Sequence, residues 1–166
     1  VVFDLVVAIE VGMILAAMLF MKRMSEETQV SGWKYVDAEN DADSLDLKMV
    51  PKNVRVYEIS GPMFFGASDK FSYMLDDTNI DVLCIRMRNV PAIDATGVET
   101  LDKITKRCKK HNISVIFSHV NEQPMQAMEK AGFVERIGKE NFCDHIDNAL
   151  LRAEELEKIA KESRKK

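Results

Sequence analysis

The chain has 166 residues, 46% of them hydrophobic and 30% charged, and a formal net charge of −4. That length suits one globular domain with extra segments rather than two full domains. The acidic balance argues against nucleic acid as a partner, because a phosphate-backbone binder carries a basic face or stripe. Here the basic clusters are short: Lys103, Lys106, Arg107, Lys109 and Lys110 on one segment, and the tail Arg164, Lys165 and Lys166.

Residues Val1 to Met21 are apolar apart from Asp4 and Glu10. A helix of about 20 residues spans about 30 Å of hydrocarbon, and apolar residues on every face mark a fully buried or lipid-facing helix. Lys22 and Arg23 follow at once, which favours a cytoplasmic position for what comes next. A signal peptide has the opposite order, with basic charge before the apolar run. The chain starts inside this run without a Met, which suggests a piece of a longer protein. Acidic groups in a span are costly and face a bundle interior, a cavity or a partner. Asp4 lies near the outer interface and Glu10 nearer the middle, about 120° apart around the helix, so they do not form one site.

Residues 24–52 contain SEETQ and DAENDADSLD and read as an acidic linker, with a short extended piece at Trp33–Val36. Beside a negative inner leaflet, such a segment is expected to stand off the surface. The domain proper covers residues 53–161, followed by a charged tail at 162–166. Val54, Val56 and Ile59 predict a first strand, and Ser60-Gly61-Pro62 a turn. Ser68 is a candidate N-cap for a helix with Phe71, Met74 and Leu75 on its apolar stripe. Asp81–Met87 reads as a buried strand, and a helix is predicted from about Thr96 to Lys110 with Val98, Leu101, Ile104 and Cys108 on one face. Ile113–Ser118 is the next strand. Pro124 opens a helix lined by Met125 and Met128 and ended by Gly132. Phe133–Ile137 reads as a short edge strand. A long amphipathic helix is predicted from Phe142 to about Lys161, with Ile146, Leu150, Ala153, Leu156 and Ile159/Ala160 inward. Strands alternating with helices imply an α/β fold with a mostly parallel sheet of four to five strands.

The chemistry-bearing patterns are sparse. Cys84, Cys108 and Cys143 are odd in number and widely spaced, and no histidine stands at zinc-ligand spacing beside them. Cys84 and Cys108 read as small buried side chains in a reducing compartment. The sequence has no GxGxxG, Walker A, GxSxG or HExxH motif, so neither an enzyme nor a cofactor or metal site is expected. One segment stands out: Asp94-Ala95-Thr96-Gly97, which opens a helix after a strand. Unpaired N–H groups at a helix start can hold an anion or a phosphate. Two readings of the Thr96 hydroxyl are open: it caps the helix in a box with Glu99, or it is a regulatory group, which a phosphate would place over that helix end.

The ordered set VYEISGPMFFGAS, VLCIRMRNVPAIDATGVETL, ISVIFSHV and MEKAGF resembles a STAS domain over about Val54 to Leu151. The first segment is similar to the last transmembrane helix of bacterial SulP permeases. The resemblance implies the STAS fold preceded by one transmembrane helix, and a cytoplasmic regulatory or interaction role on a secondary anion transporter of the inner membrane. The anion would be of the sulfate, bicarbonate or dicarboxylate class. It implies the transporter's membrane domain as partner and leaves open a second copy of the chain, a cytosolic protein or a nucleotide. One alternative branch is a soluble anti-sigma-factor antagonist, in which a kinase phosphorylates the hydroxyl that Thr96 matches; another is a small-ligand sensor that binds nucleotide, lipid or anion at the Asp94–Gly97 loop.

Overall fold

A computed structural model describes residues 2–26, 28–32, 50–51, 53–64 and 80–163. The helix predicted around Ser68, Phe71, Met74 and Leu75, the extended piece at Trp33–Val36 and the tail Arg164–Lys166 lie outside the described residues. Five strands form one sheet in the order β1-β2-β3-β4-β5: Gln29–Gly32, Val54–Ser60, Val82–Asn89, Ser114–Ser118 and Phe142–Cys143. β1 pairs antiparallel with β2, and the remaining neighbours pair parallel. Among the described residues there are five α-helices: α1 Val2–Glu26, α2 Ala95–Lys110, α3 Glu122–Lys130, α4 Phe133–Ile137 and α5 Ile146–Ser163.

Side chains alternate across a strand, so each central strand feeds two cores. Leu83, Ile85, Met87, Val115 and Phe117 pack with Val98, Leu101, Ile104 and Cys108 of α2, Met128 of α3, and Phe133 and Val134 of α4. Val54, Val56, Val82, Cys84 and Ile116 meet Ile146, Ala149, Leu150 and Ala153 of α5 on the other face. Burial on both faces explains the apolar run Val82–Ile85 that opens β3.

Three expectations need correction. Phe133–Ile137 is a helical turn, not an edge strand: Gly132 adopts φ 62°, the left-handed conformation that glycine tolerates, and the chain restarts as helix. The adjacent Phe133 and Val134 are then both buried in one core, where a strand would point them to opposite faces. Phe142 does not open the last helix. It pairs with Phe117 in the sheet and stacks on its ring at 5.0 Å, and α5 begins at Ile146. Within α5, Ile159 is exposed rather than inward, because the helix runs on past the face it covers. A further strand, β1, lies within the segment read as linker, four positions before the extended piece expected there.

Candidate functional site

The Asp94–Gly97 segment lies at the carboxyl end of the parallel strands, where open α/β sheets place their binding crevices. It is built by three layers of hydrogen bonds. First, Asp94 is the N-cap of α2: with extended backbone, its Oδ1 accepts from the Gly97 N–H at 2.7 Å. The hydroxyl of Thr96 is therefore not the cap, and the Thr96–Glu99 capping box is absent. Glu99 instead accepts from Lys103 at 2.9 Å on the helix surface. Thr96 stands half-exposed in the first turn, and its carbonyl accepts from the Thr100 hydroxyl at 2.9 Å.

Second, the loop is tied to the end of β2. Met63 N–H donates to Ala92 at 2.9 Å, and Asp94 N–H donates to Met63 at 3.1 Å. Gly97 has to be glycine here: a Cβ would meet both Ile93 Cγ1 and the Met63 carbonyl at 2.6 Å.

Third, two side-chain amides at the start of α3 clamp the loop from the opposite side. Asn121 Nδ2 donates to the carbonyls of Arg88 at 2.9 Å and Val90 at 2.7 Å. Gln123 pairs with the backbone of Ile93 in both directions: Ile93 N–H donates to Oε1 at 2.9 Å and Nε2 donates to the Ile93 carbonyl at 3.1 Å. The side chain thus imitates a strand partner. Beside this loop, a groove of about 480 Å³ runs between α2 and α3–α4, with Ala95, Val98 and Ala127 facing it and Asp102 and Arg136 at its rim.

The sequence-named residues do not converge on one place. Asp94, Thr96 and Gly97 share the first turn of α2, whereas Asp4 and Glu10 stand exposed on α1. Asp4–Met24 is a 21-residue stretch long and apolar enough to cross a membrane, with none of its window buried. Asn121, Gln123 and Met63 were missed, because a clamp of side-chain amides on backbone has no periodic signal. Arg86 was also missed. It is 1% exposed on β3, with Nη1 3.6 Å from Glu58 Oε2 on β2. Its position two residues after Cys84 in a two-residue alternation could have flagged an inward charge. Burial pushes the Cys84 and Cys108 thiols up to about 12, so both are inert packing groups at neutral pH.

Residues 48–149 match the STAS domain family. The chain belongs to that family. Over 72% of its length and 99% of the other, this STAS chain is 39% identical to a sulfate transporter family protein from Wolinella succinogenes, with a TM-score of 0.67. Over 68% and 88%, it is 30% identical to the STAS domain of a SulP transporter from Vibrio cholerae, with a TM-score of 0.57. It is 31% identical over 150 residues to YvdB of Bacillus subtilis, provisionally named a sulfate transporter, which covers 89% of this chain and 27% of YvdB. The STAS chain therefore spans about a quarter of the length of that curated relative. It is homologous to domains of SulP transporters, a transporter family rather than an enzyme family.

Proposed function

We propose that the chain is the cytoplasmic regulatory and interaction domain of a SulP-type secondary anion transporter of the inner membrane, joined to that transporter's last membrane helix. In this reading residues 1–23 end the membrane region, residues 24–52 connect it and lend β1 (Gln29–Gly32) to the sheet, and residues 53–161 form the rest of the interaction module with a charged tail at 162–166. The observation that carries the reading is the apolar span Asp4–Met24, whose side chains are exposed, ending only a few residues before the first strand of the STAS sheet. A soluble phosphorylation-switched antagonist has no use for a lipid-facing helix. The anion, of the sulfate, bicarbonate or dicarboxylate class, is handled in the membrane part. The domain binds and regulates rather than catalyses. It docks on the membrane domain, and the Asp94–Thr96–Gly97 loop sets the strength of that contact.

The test is anion uptake in cells expressing the full-length parent, intact or lacking everything from Gln29 onward, with membrane abundance measured in parallel. Deletion should lower uptake per molecule while abundance holds, and Thr96→Glu should shift uptake in the same assay. A parent that carries no anion in either form overturns the transporter reading. Unchanged uptake and assembly in the Thr96→Glu protein overturns the role of the loop.

A further inference from the structure

Thr28 is 0% exposed although it stands two positions after the last residue of α1. Its Oγ1 donates to the carbonyl of Pro62 at 2.5 Å, 34 residues away. The next residue, Met63, gives its N–H to Ala92 and takes the N–H of Asp94 on its carbonyl. That same carbonyl fills the space where a side chain at Gly97 would stand. The Pro62–Met63 segment is thus wedged between the exit of α1 on one side and the first turn of α2 on the other. Peptide units are planar and stiff, so a shift of Thr28 that carries the Pro62 carbonyl with it also moves the Met63 peptide against Asp94 and Gly97.

We infer that Thr28 is a positioning residue that couples the inner end of α1 to the Asp94–Gly97 loop through Pro62 and Met63. The inference goes beyond the proposed function by naming the connection between helix and loop. It rests on that reading only for the membrane setting of α1. A movement of α1 then alters the loop, and a partner bound at the loop biases α1 by the same free energy, because coupling is reciprocal. The two bonds at Met63 and the clamp of Gln123 on Ile93 hold the loop in the arrangement that such a shift would disturb.

The test is amide hydrogen exchange on the whole chain in detergent micelles, comparing the native protein with Thr28→Val and Thr28→Ser. Valine keeps the branched shape and removes the hydroxyl, and serine restores the donor. In Thr28→Val, the Met63 and Asp94 amides should exchange about three- to ten-fold faster, the effect of losing one hydrogen bond from a locally opening unit. Thr28→Ser should stay near the native rates, and the core amides Ile116 and Phe117 should not change. Acceleration confined to β1 overturns the inference, and so does an equal rise across the whole sheet. The reverse experiment covers poor folding of the valine variant. Gln123→Ala releases Ile93 from the far side of the loop, and the β1 amides should then exchange faster as well. A faster Ile93 amide with unchanged β1 overturns the coupling. No readout here depends on transport, so failure of the anion-uptake test leaves this result separately decided.

Discussion

The two faces of the sheet are packed by different means. Among the described residues, the face under α2, α3 and α4 carries three helices and interlocking rings: Phe117 stacks on Phe142 and meets Phe133 edge-on at 5.6 Å. The face under α5 carries, among the described residues, one helix that presents Ala149 and Ala153 with Ile146 and Leu150 to Val56, Val82, Cys84 and Ile116. Small residues one turn apart leave no room for added atoms where α5 crosses the strands, whereas the rings fill the space under the other helices. The first face is therefore sensitive to lost volume and the second to added volume. The candidate loop emerges on the first face, with Ile93, Val98 and Met63 all part of its core. Stability and the site thus share residues there, while α5 contributes a platform.

The sharpest way to break this comparison is to delete a ring. Phe117→Ala leaves a cavity between Phe133 and Phe142 and should cost about 3–5 kcal/mol of unfolding free energy, read as a lower denaturant midpoint at unchanged slope. The complementary test enlarges the other face. Ala153→Leu forces α5 off the strands and should cost about 1–3 kcal/mol. A larger loss from Ala153→Leu than from Phe117→Ala would mean the ring face can collapse around its cavity, and the contrast between the faces would fail.

Much of this plan was legible in the residues. The apolar run of β3 and the Val98-Leu101-Ile104-Cys108 stripe of α2 sit buried where periodicity put them, because long elements average out local exceptions. Short elements carry no such average. β1 is the polar tetrapeptide QVSG on the sheet edge, where only one side needs pairing and no apolar alternation is demanded. α4 has five residues and two adjacent buried ones, a pattern that fits a strand fragment until Gly132 turns the chain. At the loop, the segment itself is legible, but the capping reading, one of the two left open for Thr96, falls to Asp94. Both side chains can cap a helix, and the choice depends on which residue is extended, a property set by the Met63 and Gln123 contacts rather than by the segment. The clamp on Ile93 spans 30 residues, so no local window contains it.

The smallest expected effect separates the rims of the two faces. Along α5, Arg152–Glu155 and Lys161–Glu157 are pairs within one helix. On the ring face, Asp102 of α2 takes Lys106 from its own helix and also Arg136 Nη2 of α4 at 3.3 Å. The hydrogen bond from Lys106, with the Lys106 and Arg136 charges beside it, holds the Asp102 carboxyl below its ordinary value of 3.8. A carboxylate depressed on folding contributes stability that is complete above its unfolded value and is lost as pH falls through the folded one. The contribution of Asp102 should therefore be intact at neutral pH and fade only below about pH 4. The lysine is largely solvent-exposed, so salt screens the pair and the amount is about 0.3–0.5 kcal/mol. Asp102→Asn should remove this acid-limb loss, and the two proteins' unfolding curves should converge as pH drops below that range. High salt should shrink the difference at pH 7. A difference that persists undiminished at acid pH would mean that Asp102 acts by packing at the groove rim rather than by charge, and the electrostatic contrast between the two faces would then be withdrawn.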